Sequence, residues 1–433
     1  MLFDRQNEKK FIIGMDLRED ICQISYGWEK GGRLLQEPVT YSEIPGGERF
    51  DQPLSLCWVP GVRQWFHGSE ASLHAADEGC VYIPGLWRLA MENAPITAEN
   101  KTYEARALLA LYLGRCLAAL RERIDSEANG ERIPTDPCAM MFTMRQTDAG
   151  TIDLLEDIRR RLDLQAKVYY QSFAGTFYDF VLSQDASLRE SAAALAEYPQ
   201  GGRLRFSKLI FNPHTRPVVS YMKETVYPGL TADTDAGRDR EFAQILKQEL
   251  SGQRFSSVYL TGSGFQGDWM KRSTVLLCRG RRAFAGENLF SKGAVYGALY
   301  RLEKPPALRE YLFLDQNKLR TNVLICAVHR GKEELIPVVD AGVNWYEVHE
   351  ETELILDGTA EINLILKPLT GEQEQPYHLR LDRLPVREGR MTRVRLEFSM
   401  TGQDKLHIHM QDLGFGEVFP SSGLAWEQTM TLQ

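Results

Sequence analysis

The sequence predicts an α/β protein with two α/β lobes facing each other across a cleft, followed by a C-terminal antiparallel β-sandwich. Three observations carry this expectation. The chain opens on a continuous apolar strand, residues 11–17, broken only by the carboxylate of Asp16. An order of three strands, then helix, strand, helix, strand, helix, occurs twice between residues 11 and 302. After Lys304-Pro305-Pro306, helical periodicity gives way to strand-like alternation.

The elements follow in order. Strand-like runs fall at 11–17, 22–28 and 54–59. A small insertion near 50–100 contains a helix at 69–76. Ala105, Leu108, Leu109, Tyr112, Leu113, Cys116, Leu117, Leu120 and Ile124 recur at helical spacing, and Asn129-Gly130 supplies a stop. Strand 138–144, helix 148–162, strand 166–170 and helix 172–184 complete a first lobe, residues 1–184. The second lobe, 185–305, repeats the plan. It has strands at 192–197, 203–211 and 217–221, a helix at 236–251, strand 256–261, a short helix, strand 274–278 and helix 289–302. The final region, 306–433, has strand-like runs at 320–328, 334–339, 353–356, 360–367, 377–382, 392–400 and 405–410. Turns at Asp357-Gly358, Thr370-Gly371 and Thr401-Gly402 separate them.

Composition bounds the class. A chain of 433 residues exceeds one ordinary core. Hydrophobic residues at 43% and charged residues at 25% are those of a soluble globular protein. The net charge of −8 is spread along the chain, so neither nucleic acid nor an anionic membrane is an expected partner. No apolar run is long enough to span a bilayer, and the N-terminus lacks a signal-peptide stretch. The seven cysteines are irregularly spaced with no C-x-x-C, which reads as reduced thiols in a cytoplasmic setting.

Several motifs in this order resemble the DnaK-type, seventy-kilodalton heat-shock chaperones of the actin/chaperone/sugar-kinase superfamily. Ile13-Gly14-Met15-Asp16-Leu17 is similar to the first phosphate strand, and Arg63 to Ala71 to a lobe-I insertion. Val258-Tyr259-Leu260-Thr261-Gly262-Ser263-Gly264 resembles the adenosine turn, and Ser291 to Ala298 the helix closing the second lobe. Leu312-Phe313-Leu314-Asp315 resembles the interdomain linker, Gly389-Arg390-Met391 the latter half of the peptide-binding sandwich, and Ser421 to Leu424 the entry to a helical lid. The resemblance implies actin-like (ribonuclease H-like) lobes. It further implies Asp16 as the catalytic, metal-holding residue, with Mg²⁺. ATP or ADP would lie against Gly14, Glu197, Gly201, Gly202, Gly262, Ser263 and Gly264, and a polypeptide client or protein partner against the sandwich.

The departures are as informative. The turn after Asp16 is Arg18-Glu19-Asp20, with no glycine or hydroxyl to cradle a phosphate and two added negative charges. Of the second phosphate turn, Glu197 and Gly201-Gly202 remain. The lysine that the family places near the attacking water falls at Trp87, with Arg88 next to it. The acidic residue at the first connection between lobes falls near Gln171, and the adenine-stacking arginine near Gln266. The large lobe-II insertion is missing. Asp16 has a plain reading as a strand-end carboxylate capping local backbone. The expected function is therefore a DnaK-like, polypeptide-binding protein with a degenerate nucleotide cleft and weak or no ATPase activity. The alternatives are an active Mg-ATP-dependent ATPase and an actin-like assembly scaffold.

Other candidates read more simply. His407 and His409 share one strand face, expected to be solvated. Tyr169, Tyr170, Phe173, Phe177, Tyr178 and Phe180 read as core. The stretch from Asp412 to Pro420 reads as an exit turn or as a functional loop folded back on the sandwich. No Ser-His-Asp or Cys-His arrangement is recognisable.

Overall fold

The computed structural model describes residues 9–44, 47, 49–127, 134–305, 309–369, 373–385, 387 and 389–432. The stop at Asn129-Gly130 and the turn at Thr370-Gly371 lie outside them. The chain divides into two compact units, Met1–Phe313 and Leu314–Gln433. Among the described residues no helix is long and apolar enough to cross a membrane.

The N-terminal unit is built on two sheets. The first half supplies strands β1 (Lys10–Leu17), β2 (Ile21–Lys30) and β3 (Arg33–Leu34), then helix α1 (Ala105–Glu127), β4 (Ala139–Met144), α2 (Ala149–Arg161), β5 (Lys167–Ser172) and α3 (Phe173–Ser183). The second half supplies β6 (Ala192–Glu197), β7 (Leu204–Asn212), β8 (Val218–Tyr227), α4 (Asp235–Glu249), β9 (Phe255–Thr261), α5 (Lys271–Leu277), β10 (Arg282–Ala285), α6 (Leu289–Glu303) and β11 (Tyr311–Phe313). The strand orders are β5-β4-β1-β2-β3 and β10-β9-β6-β7-β8, with β11 added beyond β8. In each, the first strand runs antiparallel to the second and parallel to the fourth, and the fourth runs parallel to the fifth. The two halves are therefore the same plan used twice.

Two expected strands move. The run 54–59 does not join the first sheet. Its Leu56–Val59 portion pairs with Gln64–His67 and Val81–Ile83 in a separate antiparallel sheet. The outer edge of β2 is taken instead by short pieces, Arg33–Leu34, Val39–Thr40 and Gln52–Pro53. The run 274–278 is not a strand but lies across the end of helix α5. The Asp239 carboxylate explains the change. It accepts from Arg272 N (2.7 Å), Ser273 N (2.9 Å) and Ser273 Oγ (2.7 Å), satisfying backbone donors that a helix start leaves open. The strand falls later, at Arg282–Ala285, where it pairs with β9.

The helices that close the two halves are exchanged. Helix α6, from the second half, covers the first sheet: Ala294, Val295, Ala298 and Leu299 pack with Ile12, Ala139 and Met141. Helix α3, from the first half, covers the second: Phe177, Tyr178 and Val181 pack with Ala193, Leu195, Leu209 and Tyr259. The aromatic residues of 170–180 are accordingly core.

The C-terminal unit has two four-stranded antiparallel sheets. Its strands are β12 (Thr321–His329), β13 (Lys332–Val339), β14 (His349–Leu356), β15 (Glu361–Pro368), β16 (Gln375–Arg380), β17 (Thr392–Met400), β18 (Lys405–Asp412) and β19 (Ala425–Thr431). They pair in the orders β13-β12-β15-β16 and β14-β17-β18-β19. Alternate side chains are buried, as in Val394, Leu396, Phe398 and Met400 of β17. The stretch Ser421–Leu424 leads into strand β19, not into a helix.

Candidate functional site

The repeated sheet plan brings strand ends together. Asp16, the last residue of β1 but one, lies opposite Thr143 on the parallel neighbour β4, and Arg145 follows two residues later. In the second sheet Glu197 ends β6, opposite Thr261 on β9. Phe173 starts α3 and Phe290 lies in the first turn of α6, so the exchanged helices put both rings at this point. They stack with centroids 4.1 Å apart at 15°.

Two arginine–carboxylate pairs surround the rings. Asp16 is fully buried. Its carboxylate accepts from Arg18 Nη2 at 2.7 Å (Oδ2) and from Arg18 Nε at 3.2 Å (Oδ2) and 3.3 Å (Oδ1). Glu197 is paired by the Nη2 of Arg145, whose Nη1 lies 3.7 Å from Glu224. The Arg18 guanidinium lies 5.7 Å from the centroids of both Phe173 and Phe290, and Arg145 lies 5.0 Å from Phe173. One aromatic pair thus supports two cations, each bound to a carboxylate from a strand end.

The electrostatics follow from burial. Burial pushes the Asp16 carboxyl above the usual range, with Arg18 pulling the other way. Burial likewise raises Glu197, opposed first by Arg145 and then by Arg18. Burial also works against the Arg18 charge, but Asp16 outweighs it and Arg18 is held protonated.

The first turn closes on itself. Arg18 N donates to Ile21 O (3.0 Å), and Asp20 O accepts from Leu54 N (2.7 Å). Glu19 and Asp20 face solvent. The turns at Glu197 and Thr261 lock together. Tyr198 N donates to Thr261 O (2.9 Å), Gly264 N to Tyr198 O (2.8 Å), and Gln200 N to Ser263 Oγ (3.1 Å). Gly262 has φ +109°, and a Cβ there would lie 2.6 Å from Tyr198 O; one at Gly264 would lie 2.4 Å from the Tyr198 ring. Gly201 has φ +71° with open space around it, and a Cβ on Gly202 would meet Pro199 Cγ at 2.6 Å.

The structure therefore gathers Glu197, Gly201, Gly202, Gly262, Ser263 and Gly264 at adjoining turns, with Asp16 reaching them through Arg18 and Arg145. Gly14 is elsewhere. It sits beneath α6, where a Cβ would come within 2.4 Å of Ser291 O and 2.6 Å of Val295 N. Trp87 is half-buried in the helix Leu86–Met91, and Arg88 pairs with Glu92 at 3.2 Å on its exposed side. Gln171 donates to Asp179 (2.7 Å) and accepts from Arg301 (3.0 Å) where α3 meets α6. Gln266 donates to the Glu287 side chain. Sequence reasoning missed Arg145, Phe173 and Phe290 as parts of this site. Arg145 had a signal, since it follows a strand running parallel to β1 and ends at the same edge. Among the described residues no group of three or more His, Cys, Asp or Glu is placed to hold a metal ion.

The C-terminal unit has two features of its own. Asp412 is fully buried and forms a two-pronged pair with Arg387, Nη1–Oδ1 2.8 Å and Nη2–Oδ2 2.7 Å. It also accepts from Gly414 N (3.0 Å), Ser422 N (2.8 Å) and Ser422 Oγ (2.7 Å), so the 412–424 loop folds back on a single carboxylate. On the other sheet, the register pairs Leu324 with Pro337 and Ile365, and Ile365 with Pro376. This apolar row crosses four strands on the face opposite the buried Val323, Ile325 and Leu364, with Leu335 and Val328 46% and 59% exposed beside it. The second sheet's outer face is charged instead: Arg395 pairs with Glu351 (3.0 Å) and Glu353 (3.1 Å), and His409 lies 3.5 Å from Glu397.

Comparison with known families places the chain. A model described as "Family of unknown function (DUF5716) C-terminal" matches residues 37–316, and one described as "Domain of unknown function (DUF8552)" matches residues 318–432. The first match spans more than half of the chain, which belongs to that family. No curated protein matches it.

Proposed function

We propose that the N-terminal unit is a pair of actin-like lobes whose nucleotide cleft has become a structural joint, and that the C-terminal unit is a β-sandwich that binds polypeptide. One observation carries the reading of the cleft. Asp16 and Glu197, the carboxylates that the resemblance assigns to metal and phosphate binding, are each neutralised by an arginine of the chain itself. A hydrated magnesium ion at Asp16 would compete with a guanidinium that already contacts both carboxylate oxygens. The first turn spends its Arg18 amide on Ile21, and the glycine turn is closed by Tyr198. The residues present do not fit Mg-ATP, and no phosphoryl-transfer step is assigned to them.

The apolar row Pro376-Ile365-Leu324-Pro337 supports the polypeptide reading. It offers alternate side chains of an extended apolar segment a continuous surface, and the flanking strands β13 and β16 each pair on one side only among the described residues. Two measurements on the full chain test the proposal. A thermal-shift scan with ATP, ADP and Mg²⁺ is expected to show no change; a bound ligand at about 100-fold its Kd would stabilise by about 2.7 kcal/mol. An array of extended apolar peptides is expected to bind, with loss in Leu324→Lys. A clear Mg-ATP shift would overturn the reading of the cleft, and an unbound array the reading of the sandwich.

A further inference from the structure

We infer that the groove between α4 and α5 is a docking surface for an acidic amphipathic polypeptide segment. It shares no residue with the features above and stands without the proposed function. The groove encloses about 430 Å³ and is lined by Arg240, Lys247 and Arg272 around Ala243, Val275 and Leu276.

Its charge is unusual for this chain. Residues 271–286 hold Lys271, Arg272, Arg279, Arg281 and Arg282 and no carboxylate, in a chain whose net charge is −8. Arg240, Lys247 and Arg272 are exposed, and among the described residues none of them has a carboxylate within ion-pair distance. Asp239, next to Arg240 in sequence, is buried and committed to the backbone amides of Arg272 and Ser273. Burial opposes its charge, and the bonds from Ser273 and Arg272 nevertheless hold its carboxyl below the usual range.

The floor selects the kind of anion. It is aliphatic, and Val275 is 69% exposed. None of the seven groove residues, Gln244 included, is aromatic, so there is no platform on which bases would stack. Arg240 and Lys247 stand two helical turns apart, roughly 10 Å along α4. That spacing matches carboxylates on one side of a partner helix, with an apolar residue between them entering against Val275 and Leu276.

Fluorescence anisotropy with the full chain tests this. The probe is a labelled helical peptide of Glu, Leu and Ala; the controls are the same peptide with Lys for Glu, and an oligo-dT of similar length. The Glu peptide should bind, weakening on the order of tenfold as salt rises from about 50 to about 300 mM. Arg240→Ala/Lys247→Ala/Arg272→Ala should lose at least about tenfold in affinity. Lys30→Ala/Lys101→Ala/Lys332→Ala, a charge-matched control, should lose none. The single Lys247→Ala, which leaves the α5 start untouched, should show a smaller loss in the same direction. No binding of the Glu peptide, unchanged binding by the triple variant, or tighter binding of oligo-dT would each overturn the inference.

Discussion

Replacing Arg18 by methionine removes the guanidinium while keeping an apolar stem against Phe173 and Phe290. Asp16, fully buried, then loses the cation bonded to it. Breaking a buried pair from one side costs about 3–5 kcal/mol. The carboxyl has an escape, because it can take a proton. Its unfolded pKa is about 3.9, so holding it neutral at pH 7 costs about 4 kcal/mol at roughly 1.4 kcal/mol per unit, which caps the loss. The wild-type carboxyl is already raised by burial and so already carries part of that cost. The expected deficit of the variant at pH 7 is therefore about 3 kcal/mol. A carboxyl whose folded pKa lies above its unfolded value contributes stability that is fully present below the unfolded pKa and lost as pH rises through the folded pKa. In Arg18→Met the folded value moves further up, so the loss continues to higher pH. The deficit against wild type must widen between pH 5 and 8, by at most about 1.4 kcal/mol per unit. Guanidinium unfolding of the full chain, followed through Trp28, Trp58, Trp65, Trp87 and Trp269 of the N-terminal unit, measures it. Asp16→Asn/Arg18→Met removes both charges and should return to within about 1 kcal/mol of wild type. A deficit under about 1 kcal/mol, one flat across this pH range, or a double variant no better than the single would refute the view that these two groups exist to satisfy each other.

Other outcomes follow from the same contacts. Gly14→Ala should cost about 3 kcal/mol in the same unfolding assay, because the added carbon meets backbone atoms of α6, which cannot rotate away. Gly262→Ala should cost about 2 kcal/mol or more, from a left-handed φ and the Tyr198 carbonyl together. Asp412→Asn should destabilise the C-terminal unit by about 3 kcal/mol at pH 7, read by Trp345 and Trp426 fluorescence. Burial opposes the Asp412 charge, but Arg387 and Ser422 hold its carboxyl well below the usual range. That contribution is present above the unfolded pKa and lost as pH falls through the folded one, so the deficit should shrink from pH 4 downward.

The doubled order of strands and helices was legible because each element is local: alternation, period and stop residues sit within ten or twenty positions. The run Thr274-Val275-Leu276-Leu277-Cys278 was not. Its apolar, β-branched content suits a strand, and what makes it helical is Asp239, more than thirty residues away. The run at 54–59 failed for a related reason. Its strand character was evident, but its neighbours were set by the hairpin that follows it. At the candidate site, the glycines and Asp16 could be read as a pattern. Arg18 could be read as a disturbance, and its pairing with the carboxylate two residues earlier could not, since β1 ends at Leu17 and Arg18 lies in the turn, where strand alternation no longer sets a side chain's direction. Arg145 and Glu197 are separated by 52 positions, and their meeting depends on where two sheets stop. The run 320–328 was legible as a strand, but which of its faces stays open was not: residues 323–328 are all apolar, and the fold leaves Cys326 and Val328 exposed.

The exchange of α3 and α6 bears on synthesis at the ribosome. The first sheet waits for Ala294, Val295 and Ala298 to cover Ile12 and Met141, so nearly three hundred residues must be made before the earliest strand acquires its lining. A nascent chain halted anywhere before α6 would present that strand's apolar side to whatever is nearby. Cutting the gene between the halves should yield two pieces that are insoluble apart yet soluble when co-expressed, each completing the other.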